Sequence, residues 1–161
     1  MKSGLGAFAI CCALALPAIA GDSNDLLRTL VRADIATLPP DAAVKRFTKF
    51  VALERSQPVP ATLLLAGGDA RQRLELRYER DAGGAPRFAQ GMLRDAAADS
   101  EAQFRSFERL LRQKLGKPRY ERRDDGPMPT IGWRLGKLEV ALSQSQRWAE
   151  VAITHHAASN L

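Results

Sequence analysis

Arg73-Leu74-Glu75-Leu76-Arg77-Tyr78-Glu79 alternates apolar residues with charges over its whole length. Successive side chains of a strand point to opposite faces, so this segment has a dry side of Leu74, Leu76 and Tyr78 and a wet side of four charges. Such a strand belongs to a sheet covered on one face only, which is the antiparallel arrangement. Downstream, Asp81-Ala82-Gly83-Gly84-Ala85-Pro86 has turn composition, and Phe88 to Arg94 returns as the antiparallel partner. Upstream, Thr62 to Ala66 is a short apolar run closed by Gly67-Gly68-Asp69.

Helical periods flank these strands. Leu26, Leu27, Leu30, Val31, Ile35 and Leu38 predict a first helix near 24–37, stopped by Pro39-Pro40. Asp41 is placed to cap a second, in which Val44, Phe47, Phe50 and Val51 share a side and which ends before Pro58; Phe47 to Val51 also reads as a strand. The clearest helix opens at Ser100-Glu101-Ala102-Gln103, which has capping-box spacing. It carries Phe104, Phe107, Leu110, Leu111 and Leu115 on one stripe and stops at Gly116 and Pro118. Strands are then expected at 119–123, 130–135, 138–143 and 148–155, with Gly136-Lys137 as a hairpin connection. The class is α+β: a single domain with an antiparallel β-sheet and amphipathic helices packed on one face. After Pro60 the order is three strands, a helix and four strands; the pattern does not decide whether the sheet continues across the helix.

The first twenty residues read as a cleaved signal peptide. Lys2 is the positive start, Leu5 to Leu16 the apolar run, and Ala18-Ile19-Ala20 the small-residue cleavage site. The run is broken by Pro17 and is shorter than the ~20 residues of a spanning helix. Neither Cys11 nor Cys12 follows the apolar-then-small pattern of a lipidation site. Cleavage leaves a domain of residues 21–161 without cysteine, in the periplasm or secreted, that relies on packing alone.

Export also filters the meaning of the charge. The chain carries 24 Lys and Arg against 18 Asp and Glu; without Lys2 the balance is 23 against 18, a net of +5. Nucleic acid is not the expected partner of an exported chain, so the acidic partners in view are lipid head groups, wall polymers or another protein. A scattered basic surface also serves solubility alone.

Catalytic patterns are missing. The chain has no Gly-x-Ser-x-Gly elbow, His-Glu-x-x-His helix, phosphate-binding glycine loop or EF-hand series. No catalytic residue, metal ligand or cofactor is assigned. His155 and His156 are adjacent in a strand, so they point apart and do not suit one metal. Glu75, Glu79 and Glu139 read as outward strand residues paired with arginine.

Recognition is the better prospect. With Ala149, Val151 and Ile153 facing in, Trp148 and Glu150 face out, and Trp148 beside Arg147 is the residue pair enriched at interface hot spots; the alternative is that Trp148 covers the sheet edge. Trp133, in phase with Ile131 and Leu135, reads as core. Tyr120 with Arg119, Arg122 and Arg123 is the densest basic and aromatic segment, fit to grip an acidic partner or to guard a sheet edge. Asp124 and Asp125 open the adjoining loop, a candidate binding tip. These residues point to an exported, non-enzymatic protein-binding domain, such as an inhibitor or immunity protein that occludes an envelope-targeting toxin or hydrolase. The alternative is an envelope accessory protein that binds anionic lipid or polysaccharide through arginine.

Overall fold

The computed structural model describes residues 22–122 and 129–155. All eight strands join one antiparallel sheet, β1 (Glu54–Val59), β2 (Thr62–Gly68), β3 (Gln72–Arg80), β4 (Pro86–Asp95), β5 (Tyr120–Arg122), β6 (Thr130–Leu135), β7 (Leu138–Gln144) and β8 (Ala149–His155). Their spatial order is β1-β2-β3-β4-β8-β7-β6-β5, so two four-stranded meanders meet where β4 pairs with β8, and the sheet is continuous. Each meander follows helical structure: α1 (Ser23–Leu30) and α2 (Pro40–Phe47) precede the first, and α3 (Ser100–Leu115) precedes the second. The fold is α+β, as the alternation at 73–79 requires.

Register makes the two faces explicit. Leu65, Leu76, Gly91, Ile153, Val140 and Trp133 stand in one row across the strands, and Leu74, Leu93, Val151, Leu142 and Ile131 in another. Apart from Gly91 these residues belong, with Leu26, Leu30, Phe47, Phe104, Phe107 and Leu111 of the helices, to one buried core. Residues of the opposite phase, such as Glu75, Arg77 and Ala152, are half-buried or exposed.

Local chemistry sets the helix limits. Asp22 caps α1 by accepting the Asn24 N–H at 2.9 Å, and the expected 24–37 helix divides because Arg32 is extended; Ala33–Thr37 then forms a separate 3-10 turn. The apolar spacing survives the break, since Val31, Ile35 and Leu38 all remain buried. Pro40 takes the first turn of α2, where its missing N–H costs nothing. α2 ends at Phe47, short of the expected limit, and residues 54–59 form β1, a strand that the sequence reading assigned to no sheet. The reason is physical: β1 lies at the edge with all six residues exposed, so it carries no burial period, and Pro58 is tolerated at an edge. In α3 the cap is Asp99, whose carboxylate accepts the Ala102 N–H at 2.9 Å, one residue before the expected Ser100.

Candidate functional site

Among the described residues, exposed or unpartnered chemistry gathers chiefly in two places: the face of the sheet away from the helices, and a cavity at the head of α1. On the face, the cross-strand row Ala66, Glu75, Met92, Ala152, Ala141, Gly132 is small at its centre. Tyr120 closes that row on edge strand β5. Its ring covers Gly132, where a Cβ would come within 2.1 Å of Cε1, and its hydroxyl donates to Glu139 Oε1 at 3.0 Å. Desolvation, and then the Glu139 carboxylate, push the phenol above its ordinary range.

Beside this track runs a charged row: Arg73, Arg94, Glu150, Ser143, Thr130 and Arg122. Several of these charges are already paired. Arg73 Nε lies 2.6 Å from Glu75, Arg77 lies 3.1 Å from Glu79, and Arg94 Nε lies 2.5 Å from Glu150. The expected pairing of strand glutamates with arginine is present at Glu75 and Glu79, in both cases within a strand.

The residues proposed from sequence fall into two groups on this side of the molecule. Trp148 stands one residue before β8, half-buried, with the Arg94 guanidinium 5.3 Å from its ring centroid. Ser145 fixes it: the Ser145 N–H donates to the Trp148 carbonyl at 2.9 Å, and Ser145 Oγ accepts the Trp148 N–H at 3.2 Å. Arg147 is exposed in the same hairpin loop. Tyr120, Arg119 and Arg122 lie at the other end, where Arg119 donates its N–H to the Gly132 carbonyl at 2.7 Å. Strand spacing and rise separate Trp148 from Tyr120 by about 20 Å, so they are two anchors of one face and not one cluster. Arg123, Asp124 and Asp125 lie outside the described residues, as does His156. Trp133 is core, with 1% of its surface exposed.

The cavity holds about 840 Å³ and lies where the start of α1, the chain after α2, the β2–β3 turn and the end of β4 converge. Gly67 permits this convergence: a Cβ there would sit 1.9 Å from the Ala52 carbonyl oxygen. One wall carries the only buried acidic residue among those described, Asp95, 2% exposed. Ser23 Oγ donates to Asp95 Oδ2 and accepts from Gln72 Nε2 at 2.5 Å, while Asp95 Oδ1 and, from α3, Gln103 Nε2 have no partner. In the turn, Asp69 accepts backbone N–H groups of Gln72 and Arg71, each at 2.8 Å, which hold its carboxyl below the usual range.

Sequence reasoning missed this cavity. Its one signal was a charge in the wrong phase, since Asp95 follows Leu93 on the inward side of β4. Among the described residues no group of histidine, cysteine and carboxylate side chains is placed to hold a metal, and no helix is long and apolar enough to cross a membrane. Comparison with protein-family models, with curated proteins and with solved structures returned no match.

Proposed function

We propose that this chain is an exported, non-enzymatic binding domain, cleaved after Ala20, that lays the helix-free face of its sheet on another protein of the cell envelope. It acts by occlusion, as an inhibitor or immunity protein does against a toxin or hydrolase. The observation that carries the reading is the breadth and composition of that face. Eight strands span about 34 Å, and with the length of the central strands this approaches the ~800 Å² per partner of a specific interface. Small residues along the middle let a partner approach closely, with Tyr120 as an aromatic anchor on edge strand β5 and Trp148 as a second beside the central strand β8.

The charges favour a protein over an anionic polymer or lipid. Arg73, Arg77 and Arg94 are each matched by a glutamate on the same face, so the surface offers oriented pairs and not a basic sheet. Oriented pairs select a partner more than they attract one.

Photo-crosslinking groups placed at Met92 and Ala152 in the exported protein test this reading, with Arg109 on the exposed side of α3 as the control. One discrete adduct with an envelope protein is expected from the sheet positions, absent from the control and persistent at 0.5 M salt. Ala152→Arg should weaken that association at least tenfold while leaving the melting temperature unchanged. Adducts from Arg109 alone, or retention on anionic vesicles that salt abolishes, would sink the proposal.

A further inference from the structure

Two buried atoms of opposite polarity, Asp95 Oδ1 on β4 and Gln103 Nε2 on α3, are answered neither by the fold nor by the docking face, and both residues line the cavity at the head of α1. We propose that this cavity is a sugar site: it takes a neutral polyhydroxyl ligand, one of whose hydroxyls donates to Asp95 Oδ1 and accepts from Gln103 Nε2. The inference goes beyond the docking reading and does not depend on it.

A buried polar atom without a partner costs stability, so a pair of them in one cavity wall calls for an occupant. Asp95 is 2% exposed; the Ser23 hydroxyl donates to its Oδ2, and nothing donates to Oδ1. Gln72 Nε2 is already committed to Ser23 Oγ, at 2.5 Å. Both orphan atoms are covered in the free protein, and Gln103 can turn aside for a ligand without its Nε2 losing a bond.

The charged groups around the cavity decide against an ion. Arg73 pairs with Glu75 and Arg55 with Asp41, Asp22 caps α1, and Asp69 is held by the N–H groups of its own turn. Glu54 of β1 and Arg71 of the β2–β3 turn are left. Both are exposed at the rim, and among the described residues neither makes an ion pair, although the Arg71 charge bears on Asp69 beside it. The unspent groups are therefore two acceptors, Asp95 and Glu54, and two donors, Gln103 and Arg71.

An ammonium answers the acceptors and a carboxylate the donors, and each leaves the other set unmet. A hydroxyl has a hydrogen to give and lone pairs that accept, so one oxygen serves both orphan atoms. A sugar carries several such groups, and the others meet Arg71 and Glu54 at the rim. Size and walls agree. The 840 Å³ cavity falls within the ~300–1,000 Å³ of small-molecule sites, and Phe50, Val51 and Leu64 give it apolar surface for the C–H face of a ring.

The test uses ¹⁵N-labelled protein purified from the cells that make it. Glucose, galactose, mannose and N-acetylglucosamine are added singly at about 50 mM, enough to load a site of millimolar affinity. At least one of them should shift the side-chain amide signal of Gln103 and the backbone signals of Ser23 and Gln72. Gln103→Met removes the donor and keeps the length of the side chain. It should weaken that binding about fivefold or more and, since no bond is lost in the free protein, leave the melting temperature unchanged or raise it. Asp95→Asn replaces an acceptor oxygen with a donor and should abolish binding.

Silence from all four sugars, the result expected if an ordered water bridges the two atoms, overturns the proposal. Tighter binding of glucosamine, glucuronate or glycine than of any neutral sugar also overturns it, because the cavity would then be an ion site. A Gln103→Met variant that loses stability and binds sugar as before does the same. Oligomers of the sugar that binds separate its sources. Maltoheptaose binding more tightly than glucose, or chitopentaose more tightly than N-acetylglucosamine, names the end of a glycan chain; equal or weaker affinity names the free sugar.

Discussion

Under α3, Trp133 is buried to 1% exposure and gives its indole N–H to the Gly116 carbonyl at 3.1 Å; under α1 and α2, Tyr78 is buried to the same 1%, and its hydroxyl has no partner. The two meanders repeat one plan, yet they treat polar groups differently. In the second, Arg112 of α3 bridges to Glu108 and to Glu121 of β5, and Gln144 reaches Ser100 at the head of α3. In the first, Tyr78 packs edge-on against Phe88 at 5.9 Å without satisfying its oxygen, and Asp95 keeps a free carboxylate oxygen. A half whose polar groups are matched, save Gln103 Nε2 of α3 at the wall of the other half's cavity, holds the fold together, and a half with unmatched groups beside an 840 Å³ cavity has chemistry left for a ligand.

The largest expected effect lies in the matched half. Trp133→Ala removes a fully buried ring from the row that joins β6, β7, β8 and β4, and should destabilise the protein by about 3–5 kcal/mol in urea unfolding. The whole domain should still unfold in one transition, because the sheet is continuous across β4 and β8. Two separate transitions would show that the meanders are independent, and the comparison would become one between domains.

Two glycines sharpen the contrast at a smaller scale. Gly67→Ala, in the first half, drives a methyl group to 1.9 Å from a backbone carbonyl oxygen and should cost about 1–3 kcal/mol, since backbone must move. Gly132→Ala, in the second, meets first the Tyr120 ring, on a three-residue edge strand whose side chain can swing away. Its cost should stay below about 1 kcal/mol. The Tyr120 phenol should then leave Glu139 and titrate closer to its ordinary 10.0. Ultraviolet titration can follow it, because the chain has only two tyrosines. An equal cost at the two glycines would mean that β5 is held as firmly as the chain after α2.

The sheet was legible wherever one face is wet and the other dry. β3 and β7 alternate cleanly because their residues pass between solvent and core, whereas β1 alternates in nothing because both its faces meet solvent. Apolar spacing located the residues that α1 and the turn after it bury, but it could not register the extended Arg32 that splits them, since both arrangements present Leu30 and Ile35 to one core. The face anchors Trp148 and Tyr120 could be named from phase and composition. The small-residue track across the face could not, because alanine and glycine carry no phase signal. Least legible was the Ser23–Asp95 contact, which joins residues 72 positions apart and depends on how α1 crosses the end of β4.

Tyr78→Phe tests the contrast most finely. Deleting a buried hydroxyl ordinarily destabilises a protein because a hydrogen bond is lost and a partner is stranded. Tyr78 has no partner to strand, so the substitution should be neutral or stabilising by up to about 1 kcal/mol at pH 7. Burial, only partly offset by the charge of Arg46, raises the Tyr78 phenol from 10.0 to about 12. An unfolded chain therefore loses this proton before the folded one, and native stability falls as pH rises between those values. The phenylalanine variant escapes that loss, and its advantage should grow by about 1 kcal/mol by about pH 11. Trp133→Phe is the matching change in the other half. It gives up a satisfied N–H as well as ring volume and should cost about 1–2 kcal/mol at every pH. If Tyr78→Phe cost as much as Trp133→Phe, the Tyr78 hydroxyl would have an acceptor after all, and the polar accounts of the two halves would no longer differ.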